Sequence, residues 1–155
     1  MDKASYESLY LEMLPGLYRL AQSLLRHPAD AQDAVQQAVL KAWQKRAVIR
    51  QGAERAYIAR IVINECRNVQ RHRVRTVPVE TVPEVAYTPA DGMLREAMDA
   101  LPENLRIPLL LRYMEGYSEK EAAETLAIPL TMLKGRLYRA RRRLAKELKE
   151  EAELE

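Results

Sequence analysis

Residues 116–144 read GYSEKEAAETLAIPLTMLKGRLYRARRRL. Ser118, followed three positions later by Glu121, forms the S-x-x-E pattern of a capping box, in which hydroxyl and carboxylate each satisfy an orphaned backbone N–H at a helix start. The helix opened there carries Ala122, Ala123 and Leu126, and its small alanines let a second helix cross closely. Ala127, Ile128 and Pro129 turn the chain, and Pro129 opens the next helix. A short helix, a tight turn and a longer basic helix read as a helix-turn-helix.

The longer helix has two unlike faces. Leu133, Leu137, Ala140, Leu144 and Leu148 fall within about 80° of one another on the helical period and form a core stripe. Thr131, Met132, Gly135, Arg139, Arg142 and Lys146 lie opposite, with Arg136 and Arg143 flanking them. The outward face thus begins with small or medium side chains and continues with guanidinium and ammonium groups. A recognition helix needs this order: its first turns enter the major groove, and later basic residues meet the phosphate backbone.

The basic character recurs at Arg67, Arg71, Arg73 and Arg75, whereas the chain ends in the acidic EEAELE. Two separated basic patches fit a nucleic-acid binder better than a uniform solubilising coat, although the net charge is only +3. The 155 residues allow one ordinary domain or two small ones. With 48% hydrophobic and 30% charged residues, five glycines and no phenylalanine, the chain is foldable and helix-favouring. Cys66 is the sole cysteine, so no internal disulfide forms; it reads as a small buried hydrophobe. His27 and His72 make no metal-ligand spacing with it, so no metal or cofactor is expected. There is no signal-peptide core and no apolar run of membrane-spanning length, which points to the cytoplasm without membrane insertion.

The fold expected is all-α, with two small helical domains at residues 1–73 and 91–155 joined by a proline-containing linker at 74–90. In the first domain, apolar residues recur at helical spacing from Tyr6 to Leu25, and Pro15-Gly16 should kink or split that helix. Asp30 is the expected N-cap of a second helix, DAQDAVQQAVLKAWQ, whose buried face carries Ala31, Ala34, Val35, Ala38, Ala42 and Trp43. Residues 45–52 read as a loop, and a third helix runs through RAYIARIVINECRNVQRH with Ile58, Ile61 and Val62 in the core. Pro78, Pro83 and Pro89 mark the linker. In the second domain Pro102 suits a helix start, Pro108 should kink its helix and Gly116 should end it.

Taken in order, these segments resemble the extracytoplasmic-function sigma factors of bacterial RNA polymerase, of the sigma-70 superfamily, over nearly the whole chain. LPENLRIPLLLRYMEGYSEKEAAETLAIPLTMLKGRLYRAR resembles region 4, which in that family reads the promoter −35 element as duplex. The resemblance assigns that contact to Thr131, Met132, Lys134, Gly135, Arg136, Arg139, Arg142 and Arg143. DAQDAVQQAVLKAWQ resembles the part of region 2 that docks on the clamp helices of the polymerase's largest subunit, and it implies Asp33, Gln36, Gln37 and Leu40 as the polymerase-binding residues. RAYIARIVINECRNVQRHR resembles the part that captures the −10 element as a melted strand, implying Tyr57, Arg60, Asn64, Arg67, Asn68 and Arg71. Amides and guanidinium groups spaced three or four apart can hydrogen-bond an unstacked base and hold neighbouring phosphates. The loop from Lys45 to Arg55 is the corresponding pocket for a flipped base. The family usually has an aromatic at the position of Val39, Trp at Tyr57, Glu at Gln37 and often Asp at Asn68. In the recognition helix, Met132 and Gly135 replace a frequent Thr and Ser.

The resemblance implies a non-catalytic promoter-specificity subunit whose partners are core RNA polymerase, promoter DNA and an anti-sigma factor, which commonly holds its target at the membrane. The alternative is a free-standing helix-turn-helix regulator acting without polymerase. An enzyme is disfavoured, since the sequence has no HExxH, P-loop, nucleophile elbow or His paired with a nucleophile, and no small-molecule substrate is expected. Fully extended, the linker from Val74 to Pro89 reaches roughly 50 Å, enough with two small domains to reach promoter elements about two duplex turns apart.

Overall fold

The computed structural model describes residues 2–75 and 89–154. The expected linker at 74–90 lies mostly outside them. Among the described residues the regular elements are all helical: α1 (Lys3–Leu25), α2 (Pro28–Gln44), α3 (Glu54–Arg75), α4 (Pro89–Asp99), α5 (Glu103–Leu109), α6 (Glu119–Leu126) and α7 (Leu130–Leu154). The chain divides into two compact units, one holding α1–α3 and the other the bulk of α4–α7.

In the first unit the three helices pack on one another. Leu17, Leu20, Ala21 and Leu24 of α1, Ala31, Ala34, Val35, Ala38 and Ala42 of α2, and Ile58, Ala59, Val62 and Ile63 of α3 are all buried. An almost all-alanine stripe on α2 lets its neighbours approach closely. Leu17 and Leu20, each 1% exposed, stabilise the unit by about 1.5–3 kcal/mol apiece through burial. Cys66 is buried in this core as its sequence context suggests, and Ile61 is half-buried.

One local expectation fails here, and another fails only in its alternative of a split helix. The helix through Pro15 is neither split nor ended: α1 is continuous over 23 residues. Pro15 removes one backbone donor, but it lies on the water side with Leu11 and Glu12, where solvent satisfies the freed carbonyl, while the buried stripe continues on the opposite face. Asp30 is not the N-cap of α2 either. His27 holds that position, its Nδ1 accepting from the Asp30 N–H at 3.4 Å, and Pro28 supplies the preset φ of the first turn. The Asp30 carboxylate instead pairs with Arg73 of α3. Arg73 Nη1 also donates to the Leu25 carbonyl at 2.9 Å, and Gln70 Nε2 to that of Leu24 at 2.9 Å. The end of α3 thereby satisfies the open carbonyls at the end of α1.

In the second unit Pro102 stands at the N-cap of α5 and Gly116, at φ +72, follows its end. Pro108 is buried inside α5, which passes into a π-helical turn over Leu110–Met114, with the Glu115 N–H donating to the Leu110 carbonyl at 3.0 Å. The capping box forms as read: Glu121 N–H donates to Ser118 Oγ at 3.0 Å, and Ser118 N–H to Glu121 Oε1 at 3.1 Å. Ala122 and Ala123 are buried, and Ala127, at φ +55, makes the turn into α7. Leu133, Leu137 and Ala140 are fully buried, and the stripe becomes half-buried at Leu144 and Leu148.

Candidate nucleic-acid interface

The buried and exposed faces of α3 follow from its sequence. Ile58, Ala59, Val62, Ile63 and Cys66 anchor one side, so Arg60, Asn64, Arg67, Asn68 and Arg71 stand exposed on the other, and Tyr57 is half-buried beside them. From Tyr57 to Arg71 this face is about 21 Å long at the helical rise. Arg71 donates to the Asn68 carboxamide, which orients both groups along the face. Glu65 of α3 pairs with Lys41 of α2. The result is a strip of amide and guanidinium donors, suited to a single strand's base edges and phosphates.

Ahead of α3, Arg46–Val48 form a 3-10 turn, with the Arg46 guanidinium 3.7 Å from the Trp43 ring centroid and donating to the Trp43 carbonyl at 2.9 Å. Gly52, at φ +87, gives its N–H to the Glu54 carboxylate at 3.0 Å, a conformation that favours glycine.

On α2, Asp33, Gln36, Gln37 and Leu40 are all exposed, as the amphipathic pattern requires. Gln36, Gln37 and Leu40, but not Asp33, border a groove of about 550 Å³ between α1 and α2, which sequence reasoning did not foresee. Tyr10 and Leu14 of α1 face Leu40 and Trp43 of α2 across it. Leu14 lies at the edge of the Leu17–Leu24 stripe by the helical period, and it is 38% exposed. Trp43, expected in the core, is half-buried at the groove, its ring 5.2 Å from that of Tyr6. Tyr6 is buried and donates to the Val39 carbonyl, and burial foremost, with Tyr10 beside it, pushes its phenol up to about 12.

The outer face of α7 presents Thr131, Met132, Lys134, Arg139, Arg142 and Arg143 to solvent, with Gly135 and Arg136 half-buried. A β-carbon at Gly135 would lie 3.4 Å from Arg139 Nη1, so the guanidinium rests over the glycine. Lys134 is 4.0 Å from Glu119 of α6, and Arg142 Nη1 donates to the Tyr138 hydroxyl at 3.2 Å. Thr131, Met132, Gly135, Arg139, Arg142 and Arg143 share one side of the helix, with Arg136 and Lys134 at its two opposite edges. Among the described residues no cluster of acids, cysteine and histidines can hold a metal, and no helix is long and apolar enough to cross a membrane.

A three-helix unit with an exposed strip of amides and guanidinium groups thus stands in one chain with a basic helix-turn-helix. Residues 9–76 match the family described as Sigma-70 region 2, and residues 91–144 match Sigma-70, region 4. The chain is 32% identical to the ECF RNA polymerase sigma factor SigM of Mycobacterium tuberculosis, over 95% of this chain and 79% of that one. It is 28% identical to the RNA polymerase sigma-H factor of Pseudomonas aeruginosa, over 95% and 88%. Among solved structures it is similar to the sigma factor RpoE of Bartonella quintana, crystallised with the anti-sigma factor NepR, with a TM-score of 0.79 and 27% identity over 94% of this chain and 97% of that one. The fold also matches CnrH in complex with the cytosolic domain of CnrY, at a TM-score of 0.72 and 23% identity over 96% and 90%. The chain belongs to the extracytoplasmic-function sigma factors of RNA polymerase. Its function is that family's: directing core polymerase to specific promoters and initiating transcription.

Proposed function

We propose a division of labour among the three surfaces. The exposed strip of Asp33, Gln36, Gln37 and Leu40, extended by Tyr10 and Leu14 across the α1–α2 groove, docks on the clamp helices of the polymerase's largest subunit. Apolar groups ringed by polar ones suit a helix-in-groove contact. Tyr57, Arg60, Asn64, Arg67, Asn68 and Arg71 capture the melted −10 strand, and the 45–55 loop receives a flipped base. Taking that base out of the stack costs a few kcal/mol, which the cationic strip offsets. Thr131, Met132 and Gly135 meet base edges of the −35 duplex, while Lys134, Arg136, Arg139, Arg142 and Arg143 meet its phosphates.

The observation that carries this reading is the α3 strip: an exposed row of amide and guanidinium groups on a helix whose Glu65 carboxylate pairs with Lys41 of α2. The protein performs no catalysis itself and works in the cytoplasm, where an anti-sigma factor covers it until release, as NepR and CnrY form complexes with their own sigma factors. Reconstitution with core polymerase tests the reading. Run-off transcription should require the added chain and fall at least about tenfold for Asn64→Ala with Arg67→Ala, while core binding stays at wild type. Undiminished transcription from that variant would overturn the assignment of the α3 strip.

A further inference from the structure

Between Tyr57 and Arg71 the sequence of α3 carries a single acid, Glu65, among Arg60, Arg67 and Arg71. On the helical period Glu65 falls about 60° from Asn68 and about 100° from Asn64, at the border of the exposed strip. Helix α2 in turn carries a single cation, Lys41, next to Leu40. The two meet: Lys41 Nζ donates to Glu65 Oε1 where α2 packs on α3. Their exposure is unequal, with the Lys41 side chain 47% exposed and that of Glu65 14%. An ion pair with one partner so open to water contributes little to stability. Its larger effect is on the field that the strip presents. A carboxylate largely withdrawn from water is poorly screened, and left unpaired it would repel phosphates passing along Asn64 and Asn68.

We infer that Lys41 is a positioning residue of the −10 interface: acting through Glu65, it cancels the one charge on this span of α3 that opposes a nucleic-acid strand. The inference rests on the proposed contact of α3 with the melted strand and adds a residue of α2 to it. With Glu65 neutralised, the guanidinium groups of Arg60, Arg67 and Arg71 act undiminished; an unpaired Glu65 would offset one of them. Lys41 does this without touching DNA. The arrangement has a second consequence. Lys41 stands one position from Leu40 of the proposed polymerase-docking surface, so the helix that docks also sets the charge of the helix that captures.

The test uses the full chain assembled with core polymerase and a single-stranded oligonucleotide carrying the −10 sequence. Lys41→Met keeps the aliphatic stem and leaves Glu65 unpaired. It should weaken oligonucleotide binding by about threefold to fivefold at low salt, and the deficit should close as ionic strength rises. Glu65→Gln should bind at least as tightly as the wild type. Lys41→Met combined with Glu65→Gln should return to the affinity of Glu65→Gln alone, since no carboxylate remains to neutralise. Lys41→Arg should hold wild-type affinity, and the urea midpoint of each variant should stay near the wild-type value. A pair that only pins α2 to α3 gives a different pattern: both single variants weaken, the double variant stays weak and salt leaves the deficit unchanged. That pattern, or wild-type binding by Lys41→Met, overturns the inference. So does a double variant as weak as Lys41→Met beside a normal Glu65→Gln, because Lys41 then meets the strand itself. Asn64→Ala with Arg67→Ala, measured alongside, separates the two readings. If that variant loses the oligonucleotide while Lys41→Met does not, the neutralisation is wrong and the α3 strip stands. If it keeps the oligonucleotide, the strip fails and the inference with it.

Discussion

Gly135 sits in the second turn of α7, half-buried and beneath the Arg139 guanidinium. Its backbone is helical, and a β-carbon would meet that guanidinium at ordinary contact distance. Gly135→Ala should therefore stabilise the protein by about 0.5–1 kcal/mol, seen as a higher urea midpoint with an unchanged m-value. A lower midpoint would mean that Arg139 cannot give way. Tyr6 makes a different prediction. Its phenol is pushed up to about 12 in the folded state, above the ordinary value near 10, so its protonated form adds stability below pH 10 that is lost as pH rises through 12. Tyr6→Phe loses the hydrogen bond to Val39 at a cost of about 1 kcal/mol near neutrality. The stability gap between wild type and Tyr6→Phe should shrink between pH 10 and 12, which alkaline denaturation followed by circular dichroism checks. Gly135 was visible in the sequence as a break in helix propensity. The guanidinium folded over it was not, because rotamer choice depends on its surroundings.

At the scale of elements, the capping box of α6 was readable because its partners lie three residues apart and make both hydrogen bonds locally. Ser118→Ala should cost about 1 kcal/mol of stability, and Glu121→Ala in the same background should add little, since the two groups act as one unit. A double-mutant cycle in urea measures this. The cap of α2 was misread for the converse reason. Asp30 looked like a cap from its neighbours, but Arg73, 43 residues away, takes its carboxylate, leaving the cap to His27. Pro15 shows the same limit: propensity says break, whereas the Leu17–Leu24 face buried against α3 carries the helix through it. Pro15→Ala should raise stability by about 2–3 kcal/mol, and a neutral result would show that water and helix bending already relieve the proline.

At the scale of the whole molecule, two units on one chain make weak sites effective together, because binding at one raises the effective concentration at the other. Reversing Arg139 and Arg142 together to Glu should abolish footprinting of the upstream element and lessen the salt slope by about 2, while leaving association with core polymerase intact. Leu40→Asp should do the opposite, weakening association with the core by about tenfold or more without changing the urea midpoint, since Leu40 is 54% exposed. If Leu40→Asp unfolds the first unit, the groove between α1 and α2 is structural rather than a docking surface.

The sequence by itself determined the all-helical class, the helix-turn-helix and which residues share each face, because helical periodicity, caps and turn residues act within a few positions along the chain. Tertiary structure alone decided that α1 runs through Pro15, that His27 caps α2, that Trp43 and Tyr10 wall a groove, and that Lys41 pairs with Glu65. Each of these depends on groups distant in sequence coming to share a carboxylate, a buried surface or an empty volume, and no local pattern encodes such a meeting.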